Sequence, residues 1–278
     1  MVYTEKEAED VVKAVDKSGL VLLVTQTMRC KLDMMEAKRA CDAGEIGDLF
    51  MAESHYVHDL RNAYIFSPWR LEMPQDLILG GACHPIDLLR WYMGDVEEIH
   101  CYGLKSGIVP EYPKEDNFVM NLKFTSGKIG RVAAYLGAIH PPNVPMNQIA
   151  LYGTKGSIIG PDPNMFGGPI KVSLTEGGEW KEYSTEEMKL GKTNIFNKSD
   201  RSNEAPTNAN YRGVGLSDMI FSIENDCEHR CNEKLILHVL DMLDTTIQSA
   251  KKSSTLNLRT TCSKTKQFTE SEVALIVK

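Results

Sequence analysis

The strongest constraint on the fold is a change of hydrophobic period about fifty residues into the chain. Up to Gly44 the apolar residues recur mainly at helical spacing. From Leu49 they alternate with polar ones in LFMAESHYV (49–57), EEIHCYG (97–103), NFVMNLKF (117–124), KIGRVAAYL (128–136) and NQIALYG (147–153). A period of two puts successive side chains on opposite faces of a strand, so these segments describe a sheet with one buried face. Ser126 and Gly127 stand where a hairpin turn is needed, and a further pair of strands flanks Gly177 and Gly178. The sheet is therefore expected to be mainly antiparallel. Helices interrupt it at 85–93, 217–228 and 232–250, and residues 191–212, rich in Asn, Ser and Lys without a period, read as a loop. No internal repeat is present.

The first forty residues follow different rules. Thr4 with Glu7 forms a capping box, Ala8, Val11, Val12 and Val15 make a helical stripe, and Gly19 stops the helix. LVLLVTQT (20–27) is a nearly continuous apolar run, which reads as a strand buried on both faces of a parallel sheet. Asp33 then caps a second helix through about Cys41, ended by Gly44.

Composition excludes several partner classes. With 278 residues, 42% of them hydrophobic, the chain can bury a core for one large or two modest domains. A net charge of -7 gives no general attraction to phosphate backbones or anionic lipid, so neither nucleic acid nor a membrane is an expected partner. No apolar run reaches the roughly 18 residues of a membrane span, and no basic-then-apolar leader opens the sequence. The expected location is the cytoplasm. Seven cysteines, odd in number and scattered over helices and strands, read as reduced thiols.

The segment GGACHPIDLLRW (80–91) raises the question of chemistry. Pro85 suits a first helical position, Asp87 the first turn, and Gly94 the end, so His84 falls near an N-cap. There the positive helix end would hold an imidazole neutral and able to accept a proton, whereas the plainer role is a hydrogen-bonded cap. Tyr56 and His58 alternate with His55 and Val57, so one of the two sets faces a pocket. Gly213-Val214-Gly215 follows no apolar strand and lacks the third glycine of a dinucleotide fingerprint; it reads as a helix-entry turn. Cys227, His229 and Cys231 are spaced by two and would not share a helix face, so no metal is expected. Gly153 to Ser157 lacks P-loop spacing and reads as a turn between strands.

Taken together, TMRCKLDMMEAKRACDAGEIGDLFMAESHYVHD (27–59), SPWRLEMP (67–74), GGACHPIDLLRWYMGDVEEI (80–99) and LYGTKGSI (151–158) resemble the Gfo/Idh/MocA oxidoreductases, the group of glucose-fructose oxidoreductase and inositol 2-dehydrogenase. The resemblance spans roughly residues 4–258. It implies an N-terminal Rossmann domain for NAD or NADP and a C-terminal sheet that supplies the pocket for a sugar or polyol. On that plan the fold is α+β: a mostly antiparallel open sheet covered by helices on one face, preceded by a remnant, helix plus strand, of the Rossmann domain. The boundaries are 1–28, 29–258 and a tail at 259–278. His84 matches the histidine that faces nicotinamide and substrate and is the expected catalytic residue. Arg29, Trp69 and Arg70 match positions near cofactor or substrate, and their alternative role is to pair with carboxylates and cover a sheet edge. Asp87, Tyr56 and His58 complete the expected substrate contacts.

Two departures stand out. The family's Asp four residues before the histidine is Gly80 here, and the Glu-Lys-Pro motif with its catalytic lysine has no counterpart, Lys6 lying inside the capped helix. Relatives bury an open sheet face against a second subunit, which here implies a homodimer through Phe118, Met120, Leu122, Phe124, Val132, Ala134 and Leu136. A non-catalytic ligand-binding or regulatory module of the same family is the alternative to a dehydrogenase.

Overall fold

A computed structural model describes residues 2–59, 67–135, 147–162, 170–174, 177–183, 213–262 and 269. Helix α1 (Glu5–Ser18) starts as its sequence dictates: the Thr4 side chain accepts from Glu7 N–H and Glu7 reaches back, while Gly19 closes the helix at φ 66°. Residues 20–26 correct the next expectation, because they form no strand. Leu20 is 72% and Val21 48% exposed. The Val24 N–H instead donates to the Cys231 carbonyl at 3.3 Å. An apolar run becomes a buried strand only beside strands that take up its N–H and C=O groups, and no described strand pairs with it.

A short 3-10 turn (Thr27–Cys30) leads into α2 (Leu32–Asp42). Lys31, not Asp33, holds the N-cap position, and Asp33 is buried in the first turn. Beyond Gly44, at φ 72°, the sheet begins.

Its strands are β1 (Leu49–Val57), β2 (Val96–Leu104), β3 (Asn117–Phe124), β4 (Ile129–Tyr135), β5 (Asn147–Gly153), β6 (Gly156–Asp162), β7 (Ile170–Ser173), β8 (Lys181–Tyr183) and β9 (Leu256–Asn257). They pair in the order β8-β7-β6-β5-β1-β4-β3-β2-β9. Every described pairing is antiparallel except β1 with β4, so the first strand in sequence lies at the middle of the sheet. The β3–β4 hairpin turns at Gly127, whose φ of 80° favours glycine. The expected loop at 191–212 lies outside the described residues.

Helices α3 (Cys83–Met93) and α5 (Glu233–Lys252) pack over β1 and β2 on one face. The helix expected at 217–228 runs instead as α4 (Val214–Glu224), entered at Gly213. Phe118, Met120, Leu122, Phe124, Val132 and Ala134 are all buried beneath the helical layer. The set expected to drive a homodimer is therefore covered from within the chain, and Leu136 lies outside the described residues. The opposite face carries exposed Phe50, Tyr102 and Ile129 among polar groups such as the Glu53–Arg131 pair at 2.9 Å.

Residues 259–260 are tied to α5. Asp241 accepts from the N–H groups of Arg259 (2.9 Å) and Thr260 (2.8 Å) and from the Thr260 hydroxyl (2.8 Å), and Arg259 reaches Glu5 of α1 at 2.5 Å. Burial alone would raise the Asp241 carboxyl, but the bonds from Thr260 and Arg259 outweigh it and hold it low.

Candidate functional site

Nearly everything between Gln75 and Met93 is buried; Gly80 and His84 alone in this run reach solvent. A π-helical turn, Leu77–Ala82, feeds without a break into α3. Such turns reset side-chain register inside a helix and recur at functional sites. In chain order the run carries a line of Asp76, Gly80, His84 and Asp87, and a Cβ on Gly80 would fall 3.0 Å from Asp76 Oδ1. Both ends of that line are carboxylates held by arginines.

At one end, Arg29 grips Asp87 bidentately, Nε to Oδ2 at 2.5 Å and Nη2 to Oδ1 at 2.6 Å, and the two side chains are 4% and 1% exposed. The Arg29 guanidinium also stands 5.5 Å from the centroid of the Trp91 ring. These two residues use their charges on each other and fasten the 3-10 turn to α3. Their place is beneath the site, and Asp87 is not a helix cap.

The helical run also changes the account of His84. Because the chain is already helical from Leu77, His84 faces no free helix N-terminus, and Pro85 does not open the helix. His84 is nevertheless pushed below its ordinary value: burial lowers it, Asp87 works the other way, and the Lys31 charge adds to the lowering. Its Nδ1 is buried with no hydrogen-bond partner among the described residues. The site thus presents a neutral imidazole with unused hydrogen-bonding capacity.

At the other end, the Arg70 Nη1 donates to Asp76 Oδ1 at 2.8 Å, and the Arg70 guanidinium lies 5.1 Å from the centroid of the Trp69 ring. Trp69 is 53% exposed. Tyr56 and His58 are the set of β1 side chains turned toward the helices, with ring centroids 6.0 Å apart. A Cβ on Gly81 would fall 2.5 Å from Tyr56 Cε1, so only glycine lets the ring lie flat against the π-turn. Burial pushes the Tyr56 hydroxyl up to about 12, with Cys83 and Asp76 adding to the rise and Arg70 opposing it. Tyr56 therefore stays a protonated support at neutral pH.

Trp69, Arg70 and Gly80 are thus brought together, His84 opens to solvent on the same helical run as Gly80, Tyr56 lies against the π-turn with His58 beside it, and Arg29 and Asp87 are buried against each other. Asp76 was missed, as were Gln75 and Tyr112: the Asp76 N–H donates to the Tyr112 hydroxyl at 3.0 Å, and that hydroxyl donates to Gln75 Oε1. The available signal was Pro74-Gln75-Asp76, an acid placed directly before an apolar run. A separate cavity of about 400 Å³, lined by Asp42, Asp48, Tyr92, Lys128, Thr154 and Lys155, opens at the opposite end of β1.

A dinucleotide pyrophosphate sits on free N–H groups at a helix start. The start of α1 is closed by its own capping box and that of α5 by the Asn232 side chain, whereas α2 and α4 begin without a side-chain cap. Arg29 is committed to Asp87. Cys227 is exposed whereas Cys231 is buried, and no metal-binding group of three ligands occurs among the described residues. No described helix is long and apolar enough to cross a membrane.

A comparison with curated protein sequences gives no match. Solved structures do match. Levoglucosan dehydrogenase in complex with NADH and levoglucosan is 17% identical with a TM-score of 0.75, covering 93% of this chain and 71% of that one. The aldose-aldose oxidoreductase from Caulobacter crescentus complexed with glycerol is 17% identical with a TM-score of 0.73, covering 93% and 70%. The WlbA dehydrogenase from Bordetella pertussis, with NADH and UDP-GlcNAcA, is 20% identical with a TM-score of 0.66, covering 93% and 69%. The family model that matches is the GFO/IDH/MocA C-terminal domain, over residues 34–159. That stretch holds β1, the π-turn, α3 and the Gly80–His84 opening, and over it the chain is similar to the GFO/IDH/MocA C-terminal domain.

Proposed function

We propose that this chain is the substrate-binding part of an NAD- or NADP-dependent oxidoreductase acting on a hydroxyl of a sugar or polyol, with His84 receiving the hydroxyl proton. The observation that carries this reading is the opening at Gly80 and His84 in an otherwise buried helical run. A neutral imidazole there is ready to accept a proton. Next to Arg70, the exposed Trp69 ring offers an apolar platform with a polar rim, the surface that a sugar ring presents in reverse. Arg70 adds hydrogen-bond donors. Oxidation of a carbinol takes a proton from oxygen and a hydride from carbon, and these residues account for the proton.

The nicotinamide complexes among the structural neighbours support the class of hydride acceptor. Its dinucleotide would be held by a domain packed on the exposed apolar surface of Leu20, Val21, Leu216, Ile220 and Ile223. Gly215 at the start of α4 lies close to the 20–26 segment, where a Cβ would stand 3.2 Å from Thr25 and 3.7 Å from Leu23.

A second reading, a ligand-binding module without catalysis, is favoured by the absence of a G-x-G-x-x-G fingerprint from the sequence. Calorimetry and turnover separate the two. The chain by itself is expected to bind NADH with a dissociation constant of about 1 mM or weaker, and micromolar binding, about 4 kcal/mol tighter, contradicts the division of labour. Sugar or polyol binding with no turnover at any dinucleotide concentration, even when a dinucleotide-binding domain is supplied, establishes the second reading.

A further inference from the structure

The contacts that hold residues 258–262 include a histidine whose protons can be placed from its partners. His238 lies on α5, one turn before Asp241, and is fully buried. Its Nδ1 stands 3.0 Å from the Thr260 hydroxyl oxygen. That hydroxyl donates to Asp241 Oδ2 at 2.8 Å, because an ionised carboxylate only accepts. The Thr260 oxygen therefore accepts from His238, and the N–H of the neutral ring is on Nδ1. Nε2 is left as a bare lone pair, buried with no hydrogen-bond partner among the described residues. A second proton can go only there. It would make a cation inside the core with an N–H that no described group accepts, and a buried charge is costly unless it is paired.

The charged groups around the ring come from three directions. Arg90 of α3, itself fully buried, donates to the Cys262 carbonyl and pairs with Asp95 at 3.0 Å. Asp241 stands on the same helix as His238, and Arg259 reaches Asp241 from the C-terminal segment at 3.2 Å while holding Glu5 of α1. Burial lowers the His238 imidazole below its ordinary value and the Arg90 charge adds to the lowering, with Asp95 and Asp241 opposing. We infer that His238 is a pH-operated latch on residues 258–262. While the ring is neutral, Thr260 bridges it to Asp241, and the segment is clamped to α3, to α5 and, through Arg259, to α1. Once the ring is protonated, the segment lifts off α5, the cation reaches water, and α1 loses its Arg259 tie. The clamp is complete above about 6.5 and is lost as pH falls through the lowered value.

The test is amide hydrogen exchange in the full chain, read at Arg259 and Thr260, whose N–H groups both bond to Asp241. Corrected for the intrinsic effect of pH on exchange, their protection is expected to fall about tenfold or more between about pH 7 and about pH 5, while amides of β1 and β4 keep theirs. The midpoint should coincide with that of the His238 imidazole resonance. Burial raises the Glu5 carboxyl, so Glu5→Gln is measured as well and should retain the transition. His238→Asn can still donate to Thr260 but gains no proton, and its protection should be the same at both ends of the range. Protection in the wild type that ignores pH, or that changes with a midpoint different from that of His238, overturns the latch without recourse to any variant. So does a transition that survives in His238→Asn or disappears in Glu5→Gln.

Discussion

Replacing Asp87 with alanine is expected to lower the stability of the chain by about 3–5 kcal/mol, the usual cost of stranding one member of a buried ion pair. The Arg29 guanidinium would remain inside α3's packing, 4% exposed, with its bidentate carboxylate partner gone. The double substitution Arg29→Met, Asp87→Leu should recover most of that loss, because apolar side chains of similar volume need no partner. Urea unfolding of the three variants checks both statements, the midpoint moving while the slope stays constant. A loss below about 1 kcal/mol for Asp87→Ala would put the pair in the class of solvated surface bridges. The fastening of the 3-10 turn to α3 would then need another cause.

The second large effect concerns chemistry. In an assembly of this chain that turns over, His84→Ala should reduce kcat about a hundredfold or more. Its melting temperature should barely change, because the Nδ1 it removes bonds to no described residue. The pH dependence has a definite sign. The folded-state value of His84 lies below the ordinary 6.5, so the neutral form persists to lower pH than in a free histidine. The stability linked to this group is full above about 6.5 and is lost as pH falls through the lowered value. Activity should follow the same limb, holding near neutrality and falling on acidification. A rate that rises as the pH is lowered from neutral would mean that His84 acts as the protonated acid.

Much of this was legible in the sequence. The limits of β1, β3 and β5 follow from alternation because each of these strands has one buried face. Helix α1 follows from its capping box, a local signal that tertiary context did not override. Leu20 to Thr27 failed because hydrophobicity reports what a segment could bury and says nothing about which neighbours exist to bury it. His84 was found by its position before Pro85, yet for an incomplete reason: proline at a helix start is common, and nothing local revealed that a π-turn had already begun the helix eight residues earlier. Arg29 and Asp87 were recognised as members of the site, but their mutual pairing spans 58 residues and left no mark in either local pattern. Asp76 was missed for a related reason, since its significance arises only when Arg70 and Gly80 are brought against it. The dimer argument counted apolar side chains correctly and assigned them to the wrong side of the sheet, because alternation marks a buried face without saying what buries it.

The central claim is that the Gly80–His84 opening is where a polyhydroxylated ligand binds, and histidine resonances report on it directly. The chain has seven histidines. They include His84 at the opening, His58 beside Tyr56, and His100, His229 and His238 elsewhere in the fold. Titration with myo-inositol, followed by the imidazole carbon and proton shifts, is expected to move His84 most and His58 less, with His100, His229 and His238 unchanged. Saturable shifts confined to residues around the Lys128–Thr154 cavity, with His84 unmoved, would contradict the account and place the ligand at the other end of β1.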